Sequence, residues 1–381
     1  MKKIIIWLTV FLITFFIMSC EDKPNDVDRT AKAKFIVIDT SGTLDIDQKT
    51  NLRLFKNGTV TFFSRDYGES FKFKTDENGI LYADGLLASH YTISVNHQIS
   101  EAFSVFGSKE KDIYGSQNEV DTIYLRGMPS SAVIINEIYA AGPVNNVYYM
   151  FDLFVELYNN SDEVQYLDGN IICRCSKKDN EPSGIITASD GNTYVRVIYA
   201  FQFPGTPGGK QYPIQPYEFV VVAGDAVDHR QAVSTSIDLS NAQWEFYNKQ
   251  STDIDVPNVP NVENILSKTT TDFLIGLTND AVIISSGKKG VRMEGTDAMI
   301  DLSTVLDGVQ YMSNPIFTRK LDGRVDAGTA GIGIPSYSGK SMERVVLDKS
   351  NPKKHSDTNN STVDFGVNDK PTPGYQGNPI Q

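Results

Sequence analysis

Two groups of acidic and imidazole side chains in this 381-residue chain are of types that could support chemistry. Glu137 and Glu156 could serve as the paired carboxyl groups of a glycosidase, one acting as acid and the other as base or nucleophile. Asp225, Asp228 and His229 form the densest polar cluster, and an imidazole beside carboxylates could bind a metal ion or a glycan hydroxyl. Both groups are therefore candidate sites.

A structural interpretation competes with each of these assignments. Asp225 could cap a short helix over residues 226–230, since aspartate accepts hydrogen bonds from first-turn amides. We expect this cap, because one histidine and two carboxylates without a further spaced ligand are a weak metal signature. The separation of Glu137 and Glu156 cannot be measured from sequence, so the hydrolase interpretation stays open as an alternative.

Cysteine and tryptophan supply the other candidates. Cys173 and Cys175 are two residues apart, so on a strand they point to one face. A metal site would need two more ligands, and we expect two semi-buried thiols whose redox state the sequence leaves open. Trp244, beside Phe246 and Tyr247, could stack on a sugar ring or belong to the core. The usual nucleophile-elbow, zinc-protease and phosphate-loop motifs do not occur in the sequence, and we expect no metal ion and no cofactor.

Short β-strands must position these side chains. The runs from Val133 to Tyr139 and from Leu153 to Asn159 are β-patterned and are separated by a loop containing Gly, Pro and Asn. Successive residues of the second run belong alternately to two faces, as in a half-buried strand. We predict an antiparallel pair here.

Residues 34–126 are predicted to form a first β-sandwich. The chain there consists of short β-patterned runs separated by turn residues, and Asn57-Gly58 and Asn78-Gly79 favour type I′ hairpins. The segment from Phe73 to Gly79, followed by Tyr91 to Val95, resembles the carboxypeptidase regulatory-like, transthyretin-type module. Glycine, proline and serines at 127–131 then predict a domain boundary.

The second unit, residues 132–381, carries a family resemblance. Its opening segments (Ile135-Asn136-Glu137-Ile138, Phe154 to Asn159, Leu167-Asp168-Gly169) and its closing segments (Ser341-Met342-Glu343-Arg344, Pro371-Thr372-Pro373-Gly374) resemble those of lamin-tail domains. This resemblance implies an immunoglobulin-like β-sandwich and no catalytic role for the two glutamates. Polar segments at 202–216 and 253–260 are predicted loop insertions. The expected fold class is therefore all-β, with two β-sandwich domains.

The N-terminus predicts export and lipid attachment. Lys2 and Lys3 precede an apolar run from Ile4 to Met18, so residues 1–19 have the layout of a signal peptide. The sequence around Cys20 resembles a bacterial lipobox, which implies an acylated Cys20 followed by a tether over 20–33. The acidic pair after Cys20 resembles the surface-export signal of Bacteroidetes-type lipoproteins. The segment Val222–His229 also resembles a segment found in such proteins. A plain secretory signal and an ordinary linker are the alternatives.

Charge and loop length complete the functional hypothesis. The net charge is −12 and no lysine or arginine cluster occurs, so nucleic acid is excluded as a partner. We expect a lipoprotein of the outer membrane, anchored by lipid at Cys20 and facing the cell exterior. Its expected role is that of a non-enzymatic binding, adhesion or structural module for a glycan or a partner protein, and we expect ligand contact in loops of the second domain.

Overall fold

The computed structural model describes residues 29–100, 103–129, 131–145, 149–179, 181, 183–250, 253–267, 273–346 and 351–377. Almost every element in these ranges is a β-strand, which confirms the predicted all-β, sandwich-type fold. The predicted signal peptide, Cys20 and most of the predicted tether lie outside the described residues. Among the described residues, no helix has the length and apolar character needed to cross a membrane.

Seven strands form the first sandwich. They are β1 (Ala31–Asp39), β2 (Thr59–Ser64), β3 (Ser70–Lys74), β4 (Ile80–Leu86), β5 (Ser89–Ser100), β6 (Phe103–Ile113) and β7 (Ser116–Pro129), in the order β3-β2-β5-β6-β7-β1-β4. The end of β7 pairs with β6, while most of its length pairs in parallel with β1. The two halves of the sheet therefore enclose a core that includes Phe35, Val37, Phe62, Ile93 and Leu125.

Several details of this unit differ from the sequence prediction. Strand β7 continues to Pro129 and so overlaps most of the segment 126–131 in which the domain boundary was predicted. Asn57 and Gly79 have positive φ but their neighbours Gly58 and Asn78 do not. A type I′ turn needs positive φ at both central residues, so both predicted hairpins are wrong. The physical reason is that each turn joins segments that pair with different strands.

The remaining strands form the second unit. They are β8 (Val133–Tyr139), β9 (Phe154–Asn159), β10 (Gln165–Tyr166), β11 (Ile171–Cys175), β12 (Ile185–Thr187), β13 (Thr193–Gln202), β14 (Pro213–Ile214), β15 (Phe219–Ala223), β16 (Trp244–Tyr247), β17 (Asn261–Asn264), β18 (Asn279–Ser285), β19 (Val291–Glu294), β20 (Asp297–Asp301), β21 (Val305–Met312), β22 (Ser341–Arg344) and β23 (Phe365–Asn368). Short 3₁₀ helices occupy His229–Gln231 and Leu302–Thr304, and α1 is Ser361–Asp364.

A single curled sheet contains most of these strands. Its main path is β21-β18-β11-β13-β17-β16-β15-β9-β8-β22-β23, and β12, β19 and β20 extend it beside β13. Strands β8 and β9 pair antiparallel as predicted. Strand β9 is buried on both faces, however, so the half-buried prediction is wrong. Val155 and Leu157 enter the main core, whereas Glu156 and Tyr158 are covered by C-terminal residues.

The two units are in direct contact. Arg65 donates a hydrogen bond to the carbonyl oxygen of Phe317 at 3.1 Å. Gly323 lies against Ser108 of β6 so closely that a Cβ added at this glycine would stand 2.1 Å from the serine hydroxyl. This approach of the 317–324 segment to β6 forms one wall of a cleft between the sandwiches.

Candidate functional site

Glu137 and Glu156 are direct cross-strand partners, and Glu343 on β22 is the partner of Glu137 on the other side. Side chains of directly paired residues project to the same face of a sheet. The three form what we call the glutamate row, and each is 0% exposed. A glycosidase carboxyl group must contact its substrate, and these three side chains have no exposed surface.

Backbone amides of the C-terminal segment 372–377 bind the glutamate row. Glu137 accepts from the amide of Thr372 at 3.1 Å, Glu156 from that of Gly374 at 2.6 Å, and Glu343 from that of Gly377 at 2.9 Å. Burial, with Glu343 nearby, raises the pKa of Glu137 to about 7. Burial and the charge of Glu137 raise the pKa of Glu156 as well. The arrangement fastens a chain segment and leaves no oxygen directed at solvent.

The Asp225-Asp228-His229 cluster does not converge on one point. The 3₁₀ helix begins at His229, and its N-cap is Asp228, whose carboxylate accepts from the amide of Arg230 at 3.2 Å. The predicted cap by Asp225 is therefore wrong, because the chain makes a further turn at Val227 before the helix begins. Asp228 also forms an ion pair with the Arg230 guanidinium at 2.7 Å, on the surface.

His229 is enclosed and has both ring nitrogens engaged. Nε2 is 2.9 Å from the carbonyl oxygen of Asp225, and Nδ1 is 2.8 Å from the hydroxyl of Tyr149. Burial lowers the pKa of His229, so the ring is neutral, donates from Nε2 and accepts at Nδ1. No nitrogen is left to bind a metal ion. Among the described residues no group of three or more His, Cys, Asp or Glu side chains could hold a metal ion.

Trp244 is a core residue. It is 7% exposed and makes edge-to-face contacts with Phe203 at 5.0 Å and Tyr212 at 5.4 Å between ring centroids. Of the two alternatives left open by the sequence, the structure agrees with the core residue, and so little exposed surface leaves a sugar ring scarcely any room to stack. Cys173 and Cys175 are free, fully buried thiols in a second apolar cluster, and burial raises the pKa of both.

A cleft of about 800 Å³ lies between the two sandwiches, and sequence reasoning missed it. Its polar and aromatic lining includes Lys109, Tyr124, Arg126, Lys289, Asp301, Asp322 and Arg324. Tyr124 is 57% exposed. Lys289 pairs with Asp301 at 2.7 Å and Arg324 with Asp322 at 2.9 Å, so the ionic groups are held in position. Residues more than 200 positions apart, such as Phe106 and Arg324, form this site, and no local pattern signals it.

Comparisons with known proteins concern the fold and the second unit. A family model described as a protein of unknown function (DUF4876) matches residues 215–293 and 285–372. The crystal structure of a DUF4876 family protein from Bacteroides thetaiotaomicron is similar with 21% identity and a TM-score of 0.54, over 88% of this chain and 94% of that chain. The predicted resemblance to an uncharacterised Bacteroidetes domain of unknown function is supported to this extent.

Two further solved structures are more distant. The fimbrial protein FimP from Actonomyces oris has 11% identity and a TM-score of 0.19, over 48% of this chain and 47% of that chain. A DUF3823 family protein from Parabacteroides merdae has 8% identity and a TM-score of 0.18, over 54% of this chain and 86% of that chain. Neither is similar enough to support an inference. No curated protein matches the chain.

Proposed function

We propose that this protein is a non-enzymatic surface module that binds a glycan in the cleft between its two sandwiches. One observation carries the proposal. Accessible polar groups from both sandwiches meet in this cleft, whereas Glu137 and Glu156, the candidate catalytic pair, are enclosed and hydrogen bonded to backbone amides. The rival hypothesis of a hydrolase that uses this pair or the Asp225, Asp228 and His229 cluster lacks an accessible acid and base.

The chemistry of the cleft suits a polyhydroxylated ligand. Its volume of about 800 Å³ falls within the range of small-molecule sites. Tyr124 presents an exposed ring on which the apolar face of a sugar could pack. The Lys289–Asp301 pair offers both a donor and an acceptor, and a sugar hydroxyl can satisfy both because it donates and accepts. The expectation that binding is confined to loops of the second domain is replaced by a site to which both units contribute.

The proposed location is the outer membrane, with lipid at Cys20 and the folded chain facing outward. The apolar run, the lipobox-like segment and the acidic pair after Cys20 support this proposal. Ten residues separate Cys20 from the start of β1 at Ala31. At 3.3–3.6 Å per extended residue they reach about 35 Å at most, so the first sandwich would stay close to the lipid surface.

The proposal that residues 132–381 are a lamin-tail-type sandwich has support in the glutamate row. The residues that carry this resemblance are neighbours in space as well as signatures in sequence. Glu137 accepts from the hydroxyls of Ser341 and Thr372, and Arg344 donates to the carbonyl oxygen of Ile135 at 2.7 Å. A shared structural role in closing the sandwich accounts for their spacing.

The test is a glycan array probed with the chain from residue 21 onward. A bound glycan should dissociate about tenfold more readily from a Tyr124→Ala variant, which loses the stacking surface. Lys289→Ala should weaken binding to a similar extent. Tyr82→Ala is the matched control, because Tyr82 is 62% exposed on β4 of the same sandwich and does not line the cleft.

Three results would contradict the proposal. Equal loss in the Tyr82 control would remove the cleft as the binding site. Unchanged glycan binding in both Tyr124→Ala and Lys289→Ala would also show that the cleft is not the binding site. Release of reducing sugar ends by the wild-type chain, abolished in Glu137→Gln, would favour the hydrolase.

A further inference from the structure

A group of oxygen-bearing side chains lies where β15 ends beside the first residues of the parallel strands β16 and β17. Ala223 on β15 pairs with Glu245 on β16, and Glu245 pairs with Asn261 on β17. Asp225 follows β15 by two residues, and Asp253 lies in the loop between β16 and β17. We call Asp225, Asp253 and Asn261 the oxygen cluster.

Oxygens of the cluster are buried without hydrogen-bond partners. Asp225 is 1% exposed, and neither of its carboxylate oxygens has a partner. The Oδ1 atoms of Asp253 and Asn261 are also buried and unpartnered. Their other polar atoms are satisfied, since Asp253 Oδ2 accepts from the amide of Asn248 at 2.6 Å and Asn261 Nδ2 donates to Asp255 at 3.1 Å.

The neighbouring carboxylate of Glu245, by contrast, has hydrogen-bond partners. Its two oxygens accept from the amides of Ala226 at 3.1 Å and Val256 at 2.7 Å. The charged groups that act on Asp225 are Asp253 and Glu245, both acidic. His229 directs its ring nitrogen at the backbone oxygen of Asp225 and gives the carboxylate no proton. A buried, ionised carboxylate without a partner is strongly unfavourable, so Asp225 requires either a proton or a cation.

We propose that the carboxylates of Asp225 and Asp253, together with the amide oxygen of Asn261, bind a divalent cation of the calcium type. The donors are all oxygens, which hard cations prefer, and a mixture of carboxylate and amide oxygens in a loop suits the flexible coordination of Ca²⁺ better than the strict octahedron of Mg²⁺. Water or backbone oxygens complete the shell. This site is separate from the glycan cleft and does not depend on the function proposed for it.

Binding would fasten the 253–260 loop to the end of β15. The bond from the Val256 amide to Glu245 already joins that loop to β16. A cation between Asp225 and Asp253 adds a connection to β15, at a point where two negative charges otherwise repel. The fold in this region should therefore be more stable with Ca²⁺ than without it.

The experiment uses the chain from residue 21 onward, freed of metal with a chelator. Its melting temperature should rise with Ca²⁺ concentration and then saturate, and bound Tb³⁺ should luminesce through Trp244, which adjoins Glu245 in sequence. Asp225→Asn should abolish both responses. At pH 8 without metal this variant should melt higher than the wild type, because a neutral amide removes the repulsion with Asp253.

Asp238→Asn is the matched control. Asp238 lies in the adjacent loop and pairs with Arg230 on the surface, so this variant should keep the full Ca²⁺ response. Asp253→Asn supplies an independent test should Asp225→Asn fail to fold. Equal melting temperatures in chelator and in Ca²⁺ would overturn the proposal, as would an unchanged Ca²⁺ response in both cluster variants.

Discussion

Replacement of Glu137 by glutamine should remove one contribution to the pH dependence of stability. The pKa of Glu137 is raised from its ordinary value of 4.5 to about 7 by burial in the glutamate row. Glutamine mimics the protonated side chain. Its amide can donate to the hydroxyl of Ser341 or Thr372 while its oxygen accepts from the Thr372 amide, so the neighbouring groups stay satisfied.

The magnitude follows from linkage between proton binding and folding. Because the folded state binds the proton more tightly than the unfolded state, the stabilisation is fully present below about pH 4.5 and is lost as pH rises through about 7. The difference between the two pKa values corresponds to about 3 kcal/mol. For a domain of this size, that shifts the melting temperature by roughly 6–12 °C.

The assay is thermal unfolding followed by circular dichroism from pH 5 to pH 8. We expect the wild type to lose melting temperature over this range and Glu137→Gln to lose less, with the variant more stable at pH 8. The variant keeps some pH dependence, because burial also raises the pKa of Asp152 to about 6 and that of Asp225 to about 7. Glu263→Gln is the control, since this glutamate pairs with Lys249 at the surface. Parallel profiles for the wild type and Glu137→Gln would refute the reasoning, because they would mean that Glu137 is ionised at pH 5 in the fold.

Two further predictions concern the buried arginine and the anchor. Arg344→Met should destabilise the second unit by about 3–5 kcal/mol in chemical denaturation, because Asp307, 2.6 Å from the guanidinium, is left buried and unpaired. The surface variant Arg230→Met should change stability by about 1 kcal/mol or less. Equal effects of the two substitutions would contradict this prediction. Cys20→Ala should move the protein from membrane to soluble fractions and abolish fatty-acid labelling, and a labelled variant would place the lipid elsewhere.

Strand patterning predicted the elements whose apolar positions alternate without interruption. Strand β8 and the core of β9 were found this way. A glycine inside a strand weakens this signal. Gly308 interrupts β21, where a Cβ would stand 2.5 Å from the side chain of Val325. Asp84 and Gly85 have the residue types of a turn but lie within β4, where the register with β1 shifts and Gly85 has positive φ. Tertiary packing allows the glycine in β21, and a bulge accommodates the one in β4. Neither can be read from the local sequence pattern.

The candidate site was less predictable than the fold. Sequence showed Glu156 on the polar side of an alternating strand, which implies exposure. The residues that cover it lie more than 200 positions later, as the hydrogen bond from Gly374 shows. The cleft between the sandwiches depends in the same way on the approach of the 317–324 segment to β6. Long-range pairing thus determines which polar side chains remain accessible.

The glutamate row explains why signature residues that look catalytic need not be. Three carboxyl groups on adjacent strands cannot all ionise without repelling one another, and burial makes that repulsion stronger. The backbone amides of segment 372–377 offset this repulsion only when the C-terminal chain has docked. The last residues of the sandwich therefore supply hydrogen bonds that glutamates on its first strands need. A glutamate replaced by an apolar residue would leave these amides buried without acceptors, which is costly. The requirement to close the sandwich is therefore sufficient to account for Glu137 and Glu156.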